Sequence, residues 1–85
     1  MENDINKKFD SIFSMVNGKV DLVMNKVKLS EVGKKLSDKE RTVVYLVLGE
    51  KFSPKELAEK LYPNQGEGRI KQIFIKAINK LGIKM

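Results

Sequence analysis

Ser53-Pro54-Lys55-Glu56-Leu57-Ala58-Glu59-Lys60-Leu61, the break Tyr62-Pro63-Asn64, and the run from Arg69 to Gly82 together decide how this chain folds. Ser53 and Glu56 stand three apart as a capping box, with proline at the first helical position, where its missing N–H does no harm. The helix they open ends near Leu61, with Leu57, Ala58 and Leu61 as its buried stripe. Pro63 then disfavours helical backbone at the residue before it. Asn64-Gln65-Gly66-Glu67 is a further cap-like start, weakened by Gly66 and Gly68. Beyond it Ile70, Ile73, Phe74, Ala77, Ile78 and Leu81 fall on one face of a helix, and Gly82 ends it. A short capped helix, a break and a longer basic amphipathic helix make the outline of a helix-turn-helix.

In that motif the second helix enters the major groove of DNA, and its outward side must meet base edges and phosphates. Here that side carries Arg69, Lys71, Gln72, Ile75, Lys76 and Asn79. Lysine and arginine suit guanine edges or phosphates, and Gln72 suits adenine. The alternative is a plain three-helix domain with a basic surface.

Upstream, Ser37-Asp38-Lys39-Glu40 is another capping box and opens a helix through Gly49, with Val43, Val44, Leu46 and Val47 available to a core. The stripe from Val43 to Leu81 reads as self-contained. Leu29 to Leu36 has no sustained period and includes Gly33, so it reads as a linker or a single turn. From about Asp4 to Lys28, Phe9, Phe13, Val16, Val20, Val23 and Val27 recur at alternating four and three, the spacing of a heptad seam. Asn17-Gly18 complicates this, because an Asn-Gly pair between apolar runs is also a hairpin signal; the spacing across the glycine favours one helix. The seam points to a homodimer, and the alternative is that it packs on Tyr45, Leu48 or Ile75 of the same chain. The expected architecture is all-α: an N-terminal amphipathic helix (1–29), a linker (30–36) and a helix-turn-helix domain (37–85).

Composition limits the rest. The chain has 85 residues, 41% hydrophobic and 33% charged, which fits one small soluble domain. It contains neither cysteine nor histidine, so thiolate zinc sites and the usual general base are excluded, and no cofactor or metal is expected. No apolar run approaches the roughly 18 residues of a membrane span, and the N-terminus lacks the apolar stretch of a secretory signal. The net charge is +6. Between Gly66 and Met85, Arg69, Lys71, Lys76, Lys80 and Lys84 face Glu67 alone, a concentration that attracts phosphate backbones. Asp4, Asp10 and Asp21 interrupt the positive charge of the N-terminal helix, which argues against a membrane surface. The carboxylates are scattered and no glycine-rich phosphate loop follows a strand, so an enzyme is not expected. These features predict a cytoplasmic, non-catalytic binding protein with no small-molecule ligand.

Leu36-Ser37-Asp38-Lys39-Glu40-Arg41, Val43-Val44, Lys55 to Leu61 and Lys80-Leu81-Gly82-Ile83 resemble the DNA-binding domain of LuxR/GerE-type regulators. Arg69 to Ile73 and Lys76 to Leu81 are similar to the recognition helix of region four of bacterial primary sigma factors. The resemblance covers Leu36 to Ile83. It implies phosphate contacts from Ser53 and Lys55, groove-facing roles for Lys71 and Gln72 with Lys76 following, and a close helix crossing at Ala58. It implies core roles for Val43, Val44, Leu57, Ile70, Phe74 and Leu81. The chain departs from the sigma pattern in a longer connection between Leu61 and Arg69, and in Glu67 and Gly68, which replace polar side chains at the start of the recognition helix. Taken together, the residues and the resemblance predict a transcription regulator that binds duplex DNA through Ser53, Lys55, Glu67, Arg69, Lys71, Gln72, Ile75, Lys76 and Asn79. The competing class is an interaction module of the same fold that binds RNA polymerase or a sigma factor without its own DNA site.

Overall fold

A computed structural model describes residues 2–64 and 66–83, with side chains from Asp4 onward. The cap-like role of Gln65 and the charge of Lys84 lie outside the described residues. Among them there are six α-helices and no strand: α1 (Glu2–Asn17), α2 (Val20–Leu29), α3 (Glu31–Lys34), α4 (Asp38–Val44), α5 (Pro54–Lys60) and α6 (Glu67–Lys80). A π-helical turn, Tyr45–Gly49, extends α4. None of these helices is long and apolar enough to cross a membrane.

The capping boxes of α4 and α5 form as the residues predict, whereas α6 starts at Gly66 with no side chain capping it. At α4 the Glu40 amide donates to Ser37 Oγ at 3.2 Å, and the Ser37 amide donates to Glu40 Oε1 at 3.0 Å. At α5 Ser53 and Glu56 make the same exchange at 3.2 Å each way, with Pro54 at the first helical position. After α6, Gly82 takes φ 73°, the left-handed conformation that glycine adopts without a Cβ penalty, and its amide bonds the Asn79 carbonyl at 3.0 Å. The helix expected through Gly49 widens instead: the Glu50 amide reaches the Tyr45 carbonyl at 3.1 Å, five residues back.

The first 36 residues differ from expectation in three ways. The single helix over 4–28 is two helices, broken at Gly18-Lys19, where Lys19 leaves helical geometry at φ −131° and ψ 34°. The Asn-Gly pair makes a corner between helices and neither a helix interior nor a hairpin. The apolar spacing survives the corner because both helices face one core.

The stretch expected as a linker or a single turn holds a single helical turn, α3, and is packed as a joint where a linker would be free. Ser30 Oγ accepts from the Gly33 amide at 3.0 Å and donates to the Lys26 carbonyl at 2.6 Å. At Gly33 a Cβ would fall on the carbonyl oxygens of Lys26 and Val27, so α3 presses on the end of α2 backbone to backbone. Leu36 is buried in the common core.

The seam residues also turn inward. Phe9, Val16, Val23 and Val27 belong to the same buried cluster as Val43, Leu57, Ile70 and Phe74, with Phe13 and Val20 half-buried against it. Phe9 meets Phe74 edge-on at 5.3 Å between ring centroids and stacks with Phe13 at 5.6 Å. The stripe from Val43 to Leu81 is therefore not self-contained: Phe74 is fully buried, and α1 supplies the aromatic rings that lie against it.

Candidate nucleic-acid interface

Helix α6 rotates about 100° per residue, which divides its surface into three sectors. Ile70, Ile73, Phe74, Ala77 and Ile78 are buried in the core. A second sector lies under α1. The third is open and carries Arg69, Gln72, Lys76 and Asn79, all exposed at a spacing of three, four and three. Arg69 Nη1 donates to Gln72 Oε1 at 3.4 Å, a long contact that leaves both groups free to exchange partners.

The middle sector corrects the sequence reading at two positions. Ile75 is 9% exposed and part of the core cluster. The Lys71 side chain is 12% exposed: its ammonium donates to Asn6 Oδ1 of α1 at 2.7 Å, pairs with Glu67 at 3.3 Å and sits 5.5 Å from the centre of the Phe9 ring. Glu67, also expected at the DNA face, is the acidic partner in that arrangement. Periodicity missed this because the covered surface of α6 extends past its main apolar stripe to Ile75 and Lys71, where α1 lies.

Beside the open strip, α6 and the start of α4 enclose a groove of about 270 Å³, lined by Ser37, Lys39, Glu40, Arg69, Ile73, Lys76 and Lys80. Glu40 is 7% exposed. Burial pushes its carboxyl group up, but the Ser37 amide and hydroxyl and the Lys80 ammonium outweigh that, so it titrates below the ordinary carboxylate value. Lys80 Nζ lies 3.0 Å from Glu40. That pair cancels one charge of each sign and leaves Lys39, Arg69 and Lys76 as uncompensated cations around the groove, an arrangement suited to phosphate oxygens.

In the sequence Lys39 stands only within the capping box Ser37-Asp38-Lys39-Glu40. The signal that places it here is the Glu40–Lys80 pair, which draws the start of α4 onto the end of α6 across 40 residues of chain. Ser53 and Lys55 are exposed at the start of α5, outside this groove, and the Ser53 hydroxyl is engaged by its own cap.

Residues 34–81 match the family model of sigma-70, region 4. No curated protein and no solved structure matches the chain. The LuxR/GerE likeness is to a closely related helix-turn-helix group. Domains of region 4 are DNA-binding, non-catalytic helix-turn-helix modules that also bind the RNA polymerase core. The match spans more than half of the chain and runs from the end of α3 to the end of α6, with α1 and α2 before it; over that length the capped α5, the break after Leu61 and the basic α6 place this chain in the sigma-70 region 4 family.

Proposed function

We propose that the chain is a transcription regulator that binds duplex DNA sequence-specifically, with α6 in the major groove. The observation that carries this reading is the open strip of Arg69, Gln72, Lys76 and Asn79 bordering a groove with three uncompensated cations. The major groove is about 12 Å wide and admits one helix. Helix α1, on the Lys71 side of α6, leaves that strip uncovered. Base reading then falls to Gln72, Asn79 and Arg69, while Lys76 and Lys39 take phosphates. Ser53 and Lys55 add backbone contacts from the start of α5.

The test is fluorescence anisotropy on duplexes selected from a random pool, repeated over a range of salt. Lys76→Ala is expected to weaken binding to all duplexes alike and flatten the salt slope by about one unit. Gln72→Ala is expected to cost about 1–3 kcal/mol on the selected site and little on random sequence. Binding that ignores salt sinks the proposal.

A second reading, binding to RNA polymerase or a sigma factor without a DNA site, draws on one observation. The Glu67–Lys71–Asn6 arrangement and the bare Gly68 leave the start of α6 with few groups for base edges. Retention of the chain by RNA polymerase core, together with indifference to duplex DNA, would favour it.

A further inference from the structure

Of the four large apolar side chains exposed among the described residues, Leu61 (50%) follows α5 and the other three stand on the α2–α3 corner: Leu22 (47%) and Leu29 (75%) on α2, and Val32 (40%) on α3. The opposite face of α2 buries Val23 and Val27, so this helix is apolar on both sides, and one side is uncovered. Along α2, Leu22, Asn25 and Leu29 follow one another at three and four, the spacing with which one helix receives another; Val32 stands on α3, beyond the extended backbone of Ser30. Leu22 and Leu29 lie two turns apart, about 10.5 Å along the axis. The Ser30 bonds and the close approach at Gly33 hold α3 on the end of α2, so Val32 is fixed in place relative to the two leucines.

The rim of this stripe is basic. Lys19, Lys28, Lys34 and Lys35 are exposed around it, against Asp21 and Glu31, and Glu31 already faces Lys34 at 4.0 Å. Two copies meeting here would bring lysine rims together, which disfavours a homodimer on this face. A helix with leucines at the matching spacing and carboxylates along its flanks satisfies both the stripe and the rim.

We propose that the α2–α3 corner is a docking surface for an acidic amphipathic helix of another protein. All three apolar residues precede residue 34, where the family match begins. The surface is therefore separate from the matched region, and the proposal stands independently of DNA binding.

The test uses the full chain, isotope-labelled, titrated with a synthetic heptad peptide carrying leucine at a and d and glutamate at e and g. Expected are amide shift changes confined to α2 and α3, no comparable binding of the same peptide with lysine at e and g, and at least about tenfold weaker binding in a Leu22→Gln, Leu29→Gln variant. Both positions are exposed and glutamine is a good helix former, so that variant keeps its fold. A second variant, Lys28→Glu with Lys35→Glu, is expected to lose the acidic peptide and accept the basic one. Lys76→Ala should leave peptide binding unchanged.

Shift changes centred on α6, equal binding of the two peptides, or insensitivity to the leucine substitutions overturns the proposal. So does recruitment of the chain to phosphatidylglycerol vesicles that depends on Leu22 and Leu29, which makes the occupant lipid. Self-association in sedimentation that the same substitutions abolish makes it a second copy.

Discussion

At the scale of single residues, Gly33 and Glu40 show what local chemistry this fold depends on. Gly33 has no room for a side chain because the backbone of α2 occupies the position its Cβ would take. Gly33→Ala must push α3 off α2 and is expected to cost about 1–3 kcal/mol in urea unfolding, the scale of overpacking. Gly18→Ala, where a Cβ meets open space, serves as the control and should leave stability within about 1 kcal/mol. Equal effects at the two positions would contradict the packed joint.

Glu40 links stability to pH. Its folded carboxyl group titrates below the ordinary value of 4.5, so the stability it contributes is whole above that value. It declines as pH falls below it, and is gone once pH passes through the folded value. Thermal melts of the wild type should lose stability over that acid range more steeply than those of Glu40→Gln, which keeps an acceptor for the Ser37 amide but carries no charge. Parallel loss in the two proteins would remove Glu40 as the cause.

At the scale of elements, the heptad spacing of the N-terminal helices is satisfied within the molecule. Val16 and Val23 have no exposed surface. Val16→Glu would put a charge into the core cluster that also holds Phe9 and Phe74, and the expected result is loss of cooperative unfolding and of helical circular dichroism, since an unpaired buried charge costs several kcal/mol. A soluble, folded monomer from that variant would show that α1 does not pack as described. The caps of α4 and α5, the stripe of α6 and its glycine stop were legible in the sequence because each is written in neighbouring residues. The corner at Gly18-Lys19 and the joint at Ser30–Gly33 were not. An apolar period records that a face is covered and says nothing about what covers it, and Asn-Gly permits several turns among which only tertiary packing chooses. The same limit applies to the candidate site. Arg69, Gln72, Lys76 and Asn79 were legible on α6, whereas the withdrawal of Lys71 and Ile75 required α1 to be in place.

At the scale of the whole molecule, the uncompensated charge lies where α4 meets α6, which no single helix displays on its own. Lys39→Ala, on a helix expected only to cap and pack, should therefore flatten the salt dependence of DNA binding by about one unit, the change expected of Lys76→Ala. Lys71→Ala should change it less, because its ammonium is already held by Glu67 and Asn6. Salt titrations of the three variants side by side check this, and a Lys71 effect larger than that of Lys39 would count against the placement of α1.

The bond between Asn6 and Lys71 closes a span of 65 residues, and this bears on how the protein is made. Helix α1 packs on α6, so Phe9, Phe13 and Val16 have no lasting place to go until α6 has been translated. Closing so long a loop slows folding relative to a domain of local contacts. A product truncated before α6 would keep those side chains in water, where aggregation or degradation removes it. The arrangement thus makes translation through α6 a condition for covering α1, and a fragment that lacks α6 does not persist beside one that has it.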